Sequence, residues 1–248
     1  MRWGVALWRL CRVLLHLLHG MLVMTRFGAL DAAGRRQRVQ WWSARLLTLA
    51  GLSVRVQGGP RPGGALLVAN HVSWLDIAAL HAACPQARFV SKADVLRWPL
   101  LGWLIRGAGT MFIERERKRD ALRMVHDIGE ALRLGETVAV FPEGTTGPGP
   151  QLRPFHANLL QAAIAVAAPI QPVALRYTAP GQPFAVAARY IDDTTLVQSL
   201  WWVLSARGLG VELVFLSPEG SAHADRRRLA AHLQDEIQQV LDQHSAAA

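Results

Sequence analysis

The feature that most constrains the fold is an alternation of short apolar runs with longer amphipathic stretches, which continues from residue 53 to the end of the chain. Short apolar runs suit strands that are covered on both faces of a sheet. The longer stretches repeat their apolar residues at three and four positions, as helices do. Strands that alternate with helices predict an α/β fold with a largely parallel, mixed sheet flanked by helices.

The individual elements can be placed along the chain. The predicted strands lie at residues 54–57, 66–69, 88–91, 110–113, 137–141, 170–175, 183–190 and 211–216. The predicted helices lie at residues 35–49, 74–83, 120–134, 158–167 and 225–243. The first strand alternates valine with polar residues and is expected at the rim of the sheet. Pro169 and Pro172 flank another strand, and because a proline removes a backbone donor, we expect that strand at an edge or a bend.

One polar motif follows the apolar run at 65–69, where His71 stands five positions before Asp76. A histidine that a carboxylate orients can take a proton from a hydroxyl near neutral pH. The competing interpretation is structural: Ser73 caps the next helix and Asp76 completes a capping box. A serine hydrolase is disfavoured, because the chain has no Gly-x-Ser-x-Gly elbow.

A second polar motif, Phe-Pro-Glu-Gly-Thr at 141–145, follows the apolar run at 138–140. A Gly-Thr turn after a strand can offer backbone N–H groups and a hydroxyl to an anion. The next residues, 146–150, are rich in glycine and proline and are expected to form a loop that moves over the site. The two motifs together predict a transferase or hydrolase that acts on an alcohol bearing a negative group.

These motifs resemble the first and third signature blocks of glycerolipid acyltransferases of the lysophosphatidic-acid acyltransferase type. Residues 109–115 resemble the second block and residues 168–174 the fourth, in the expected order. The resemblance runs from about residue 66 to residue 177, a little under half of the chain. It implies that His71 is the general base for the acceptor hydroxyl and that Asp76 fixes its tautomer.

The resemblance also implies a set of substrate-binding residues. Arg115 would grip the phosphate of the acceptor, since a guanidinium suits a phosphate with two parallel hydrogen bonds. Lys92 resembles a basic position between the first two blocks and would help to hold that phosphate. Gly144 and Thr145 would form the anion-binding turn, and Glu143 would orient Arg115 or a backbone group near the acceptor.

The first 50 residues have a different composition from the rest. They hold eight arginines and one acidic residue, so +7 of the total formal charge of +9 lies there, together with four tryptophans. Arginine and tryptophan around apolar runs are typical of a segment at an anionic membrane surface. The apolar run at 13–24 is short for a membrane-spanning helix and has arginines on both sides, which favours a helix in one leaflet. Nucleic acid is an unsuitable partner, because these arginines alternate with apolar residues.

We therefore divide the chain into a basic, helical, membrane-associating segment at 1–50 and an α/β acyltransferase domain at 51–248. Two cysteines make no disulfide framework, and no Cys/His cluster has zinc-ligand spacing, so no metal is expected. No cofactor is expected either, because the acyl donor, acyl-CoA or acyl-carrier protein, is already an activated thioester. The enzyme is expected at the cytoplasmic face of a bacterial inner membrane, either monotopic or anchored by a single helix.

The expected reaction transfers a fatty acyl group to the hydroxyl of a lysophospholipid. The first acceptor considered is 1-acylglycerol 3-phosphate, which would give phosphatidic acid for phospholipid biosynthesis. Three alternatives stay open from the sequence: another acceptor such as lyso-ornithine lipid, a non-catalytic lipid-binding protein, and a lipid esterase.

Overall fold

The computed structural model describes residues 2–92, 110–113 and 118–246. The chain starts with two helices, α1 at Arg2–Phe27 and α2 at Ala32–Ala50. The side chain of Asp31 accepts a hydrogen bond from the Gly34 N–H and so caps the start of α2. Gly51 ends α2 in the left-handed conformation at φ 93°, which glycine adopts without strain.

The rest of the chain alternates strands and helices, as predicted. The strands are β1 at Leu52–Gln57, β2 at Leu66–Ala69, β3 at Arg88–Lys92, β4 at Met111–Ile113, β5 at Val138–Val140, β6 at Ile170–Thr178 and β7 at Leu209–Phe215. The remaining helices are α3 at Asp76–Ala83, α4 at Lys118–Arg133, α5 at Leu160–Ala165, α6 at Leu196–Ser205 and α7 at Arg226–Ala246, with a short 3-10 helix at Val186–Ala188.

The strands of the described part of the chain form one sheet in the order β1-β7-β6-β2-β5-β3-β4. Neighbours pair in parallel except β6 and β7, which are antiparallel. The prediction of a largely parallel, mixed sheet is therefore confirmed, as is the position of the first strand at an edge. Strands β2 and β5 are parallel neighbours, so the loops that follow them lie side by side at the carboxyl ends of the strands.

Both faces of the sheet are covered, and strand β2 shows this directly. Leu67 and Ala69 belong to a core that includes residues of α1, α2, α3 and α6. Leu66 and Val68 point the other way, into a core shared with α4, α5 and α7. Alternate side chains of a strand face opposite sides, so a strand buried on both sides is apolar throughout.

Two expectations about local structure are wrong, and one helix was not predicted. Residues 183–190 form the 3-10 helix and its flanks instead of a strand, and the Tyr190 N–H donates to Val72 O in the loop after β2. Helix α6 was not predicted, although Thr195 and Gln198 form a capping box that marks its start. Pro172 lies in the central strand β6 and not at a sheet edge. Proline has no N–H to donate to a neighbouring strand. Pro172 is tolerated because this side of the residue faces Leu216, just past the end of β7, and Leu216 N still donates to Pro172 O.

The N-terminal helices are packed onto the sheet domain. The Arg9 guanidinium donates to Leu204 O at 2.9 Å and to Ala206 O at 2.6 Å, at the carboxyl end of α6. Residues Trp3–Phe27 of α1 have a mean hydropathy of 1.4 and are only 17% buried, so this helix is long and apolar enough to cross a membrane. The division of the chain at residue 50 stays a prediction.

Candidate active site

The loop that carries the predicted base starts at the carboxyl end of β2. Asn70 is fully buried there, and its side chain both donates to Leu175 O at 2.8 Å and accepts from Leu175 N at 2.7 Å. This amide takes the place of one backbone pair between β2 and β6. The loop therefore leaves the sheet from a fixed point, in the region where open α/β sheets bind ligands.

The Asp76 carboxylate organises this loop and is completely buried. Its Oδ2 accepts hydrogen bonds from His71 Nδ1 at 2.7 Å, from Val72 N at 2.7 Å and from Ser73 N at 3.0 Å. Its Oδ1 accepts from the Tyr177 hydroxyl at 2.7 Å. A buried carboxylate with four donors has few alternative positions, so it holds the imidazole in one orientation.

The His71 ring is presented at the surface of the loop. It stacks on Phe141 with 4.1 Å between ring centroids and 13° between planes, and its side chain is 20% exposed. With the Nδ1 proton directed at Asp76, Nε2 is an acceptor. No group in the described part of the chain hydrogen-bonds to that nitrogen. This arrangement suits a general base that accepts a proton from a hydroxyl through Nε2.

The capping alternative applies only in part. Asp76 does accept from Ser73 N, as the acidic member of a capping box would. Helix α3, however, starts at Asp76 with Leu75 in the capping position and without a side-chain cap. The Ser73 hydroxyl therefore does not cap the helix, and the carboxylate serves the loop and the imidazole.

Glu143, in the loop after β5, ties the two motifs together. It is 4% exposed, and its carboxylate accepts from His71 N at 2.7 Å and from Arg153 N at 2.9 Å. Burial raises the pKa of the Glu143 carboxyl above its usual range, and the backbone N–H donors and His71 lower it only in part. The contact with His71 is of the kind expected for Glu143, namely with a backbone group. It makes Glu143 a positioning residue for the base.

The turn after Glu143 is closely held. Gly144 has φ 73°, a conformation that favours glycine, and Thr145 is exposed beside it. Gly147 N donates to His71 O at 2.7 Å, and a Cβ at Gly147 would lie 2.9 Å from Glu143 Oε2. The Thr146 hydroxyl donates to Tyr190 O. One main-chain hydrogen bond, from Gly147 N to His71 O, thus joins this loop to the loop after β2 that carries His71, which we call the catalytic loop. The movement of the glycine- and proline-rich loop stays a prediction.

The structure does not test the residues that were predicted to bind the phosphate. Lys92 is the last residue of β3, and the structure describes its backbone but not its side chain. Arg115 lies outside the described residues. Phosphate binding by Lys92 and Arg115, and anion binding by Gly144 and Thr145, stay predictions.

Tyr177 is the functional residue that the sequence motifs did not reveal. It lies on β6, is buried, and donates to Asp76 from 101 positions along the chain. Burial and then the Asp76 charge raise the pKa of the Tyr177 hydroxyl well above its usual range, so it stays protonated and remains a donor. A tyrosine in a strand predicted to be largely buried was the available signal, because a buried hydroxyl needs a partner.

A group with metal-ligand chemistry lies elsewhere in the described chain. Glu219, His232 and Glu236 bring one ligand atom each to within 4.8 Å of one another, with His232 Nε2 at 3.1 Å from Glu219 Oε1. Burial, then contact with Glu219, raises the pKa of the Glu236 carboxyl. His232 is on α7 and Glu219 follows β7, so the group is separate from the loop that carries His71.

Comparison with known protein families indicates the same class of enzyme as the geometry of the site. The family model described as Acyltransferase matches residues 53–176, a segment that includes His71, Asp76 and Glu143. The chain therefore belongs to the acyltransferase family and is an enzyme that transfers acyl groups. The alternative of a non-catalytic lipid-binding protein has no support from these comparisons.

Individual relatives narrow the class. The chain is 39% identical over 217 residues to a lyso-ornithine lipid O-acyltransferase of Pseudomonas aeruginosa, covering 87% of this chain and 83% of that protein. It is 36% identical over 192 residues to a 1-acyl-sn-glycerol-3-phosphate acyltransferase of Neisseria gonorrhoeae, covering 77% and 74%. The crystal structure of the 1-acyl-sn-glycerophosphate acyltransferase of Thermotoga maritima matches with a TM-score of 0.76, at 18% identity, over 99% of this chain and 98% of that one. This last match shows that the fold is shared.

Proposed function

We propose that this enzyme transfers a fatty acyl group from a thioester donor to the secondary hydroxyl of a lysolipid whose head group carries an anionic group. The observation that supports this most directly is the His71 ring, whose Nδ1 is held by Asp76 at 2.7 Å while its side chain stays 20% exposed. A base in this state can accept a proton only through Nε2. The names of the relatives supply the class of acceptor.

The chemistry follows from these groups. His71 Nε2 takes the hydroxyl proton as the oxygen attacks the thioester carbonyl and a C–O bond forms. Asp76 stabilises the imidazolium that results. The C–S bond then breaks, and the imidazolium returns the proton to the departing sulfur. Neither a metal nor a covalent enzyme intermediate is required, because the thioester is already activated.

Two acceptors share the necessary chemistry. Lyso-ornithine lipid and 1-acylglycerol 3-phosphate each carry a secondary hydroxyl and a nearby anion, a carboxylate in the first and a phosphate in the second. The lyso-ornithine acceptor is favoured by the higher identity and coverage of the Pseudomonas relative. The phosphate acceptor is favoured by the Neisseria relative and by the predicted roles of Arg115 and Lys92.

The same proposal places the enzyme at the membrane. The exposed helix α1 and its arginines suit an anionic bilayer, from which a lysolipid would reach the site. We place the active site at the cytoplasmic face because acyl-CoA and acyl-carrier protein are water-soluble cytoplasmic donors. No cofactor is needed beyond the donor thioester.

A panel assay tests the proposal. Purified enzyme in mixed micelles is given each acceptor with each donor, and thiol release and lipid product are both measured. A neutral monoacylglycerol is the control acceptor, and His71→Ala gives the background rate. We expect acylation of lyso-ornithine lipid or of 1-acylglycerol 3-phosphate at a rate well above that of the monoacylglycerol control. Thiol release without acylated lipid would indicate an esterase and overturn the proposal.

Arg115→Lys separates the two acceptors further. If Arg115 grips a phosphate, this change raises the KM for 1-acylglycerol 3-phosphate and leaves the donor KM unchanged, since lysine loses the two-pronged geometry. If Arg115→Lys raised the KM for neutral monoacylglycerol as much as the KM for 1-acylglycerol 3-phosphate, the role assigned to Arg115 would be contradicted.

A further inference from the structure

The exposed apolar surface of the protein extends beyond the N-terminal helix. We use the name α1–α6 face for a set of residues that surround an open groove of about 510 Å³. These are Trp3, Val186, Val197, Trp201 and Trp202, of which all but Val197 line the groove itself. Trp3 is 71% exposed, Val186 56% and Val197 77%. Side chains of this size and exposure mark an interaction surface when they are contiguous.

The two helices form one continuous surface. The Trp3 and Trp201 rings lie 4.9 Å apart at an interplanar angle of 50°. Val197 and Trp201 are four residues apart, so they lie on the same side of α6. Arg9 joins the helices on the inner side through the carbonyls of Leu204 and Ala206. Whatever covers the outer side of α1 therefore also reaches α6.

The charge around this face indicates what covers it. Helix α6 itself has no acidic residue, and neither has the chain before residue 31, whereas the exposed Asp192 and Asp193 lie between the 3-10 helix and α6. Arg207 is exposed just past α6, and the Arg12 guanidinium lies 5.7 Å from the centre of the Trp8 ring on α1. Exposed tryptophans bordered by arginines match the interface of an anionic bilayer, and the two aspartates precede α6 instead of lying on it.

Helix α6 is also joined to the catalytic loop. Trp74 stands between His71 and Asp76, and its indole N–H donates to the Ser199 hydroxyl at 3.1 Å. Ser199 is on the buried side of α6, opposite the exposed residues. A bilayer that contacts α6 is thus one helix thickness away from the loop that holds the base.

We propose that α6 and the 3-10 helix before it form a second membrane-contact surface, continuous with α1, that docks the catalytic loop onto an anionic bilayer. The inference deepens the proposed function, on which it rests in taking the acceptor to be a membrane lipid. Contact through helix α1 alone would still let the enzyme rotate about the axis of that helix, whereas a second contact beside the active site fixes one orientation. In that orientation a lysolipid meets His71 without leaving the interface.

Val197→Glu in the full chain tests the docking surface. Residue 197 is in the first turn of α6, where a carboxylate suits the positive end of the helix, so folding should be retained. The matched control is Leu134→Glu, because Leu134 is also 77% exposed but follows α4, which packs on the other face of the sheet from α6. Trp202→Gln provides a second variant on the α1–α6 face.

Two readouts are compared for each variant: flotation with vesicles of phosphatidylglycerol and phosphatidylethanolamine, and turnover. Turnover is measured with the acceptor that the wild type uses, first embedded in vesicles and then as a short-chain form below its critical micelle concentration. We expect Val197→Glu and Trp202→Gln to lower vesicle turnover about tenfold, equivalent to about 1.4 kcal/mol, and to leave turnover on the soluble acceptor within about twofold. Leu134→Glu should change neither.

The outcomes separate the alternatives. If Val197→Glu and Trp202→Gln behave like Leu134→Glu on vesicles, α6 does not contact the bilayer. If Val197→Glu instead converts a dimer to a monomer in light scattering and leaves vesicle turnover intact, the face is an interface between copies, which also overturns the inference. If the wild type acylates neither acceptor, the proposed function fails, whereas the flotation comparison still tests docking.

Discussion

Replacing Tyr177 by phenylalanine removes a single oxygen from the centre of the catalytic loop. The ring stays in its buried site on β6, so packing is retained. What disappears is the 2.7 Å hydrogen bond to Asp76 Oδ1, the only donor to that oxygen among the described residues. Asp76 Oδ2 keeps its three donors, so the imidazole should keep its orientation.

The size of the effect follows from this arrangement. A hydrogen bond to a charged acceptor contributes roughly 1.5–3 kcal/mol, so the free energy of unfolding should fall by about that amount. The catalytic effect should be smaller than removal of the base, because three of four donors to the carboxylate remain. We expect kcat to fall about tenfold, equivalent to about 1.4 kcal/mol. The KM values should be unchanged, because the buried Tyr177 touches neither substrate.

The assay has an internal control. The chain contains only two tyrosines, and the hydroxyl of Tyr190 makes no hydrogen bond to another described residue. Tyr190→Phe removes the same atom type and should leave kcat and stability nearly unchanged. Thiol release from the donor gives kcat and KM, and urea unfolding in detergent gives stability. A kcat for Tyr177→Phe within twofold of wild type, or an equal loss in Tyr190→Phe, would refute the positioning role of Tyr177.

Three further predictions concern other residues of the fold. His71→Ala should lower kcat by about 10²–10⁴-fold with folding retained, measured by thiol release; a tenth of wild-type turnover remaining would show that His71 is not the base. Glu143→Gln should lower stability by about 1–3 kcal/mol and slow turnover, since one amide oxygen cannot accept from both His71 N and Arg153 N; urea unfolding equal to wild type would contradict this. Burial lowers the pKa of His81 from 6.5 to about 4. Between these two pH values the unfolded chain binds more protons than the folded protein. The free energy of unfolding should therefore fall by about 3 kcal/mol as the pH is lowered through this range. His81→Gln should remove that part of the pH dependence in urea titrations, and an unchanged slope would count against it.

The sequence was sufficient to predict the α/β architecture and the acyltransferase family, and it singled out His71 and Asp76, which the structure brings together. Apolar runs and helical periodicity are local properties, so they gave the α/β class, the parallel character of the sheet and most element positions. They failed at residues 183–190, a mostly apolar run that forms a 3-10 helix. This run bonds to β6 through Ala185 N and Tyr177 O, and to the catalytic loop through Tyr190 N and Val72 O. They also missed α6, whose capping box at Thr195 was present in the sequence.

The tertiary structure alone decided how the site is held together. Asp76 finds its fourth donor in Tyr177, 101 positions away, and His71 N finds Glu143, 72 positions away. Both contacts depend on β2 lying between β5 and β6, and the order of strands in a sheet is not written in any local pattern. A sequence motif names the residues that carry out the chemistry. The residues that position them come from strands that become neighbours only on folding, because buried polar groups take whichever partner the packed chain brings within reach.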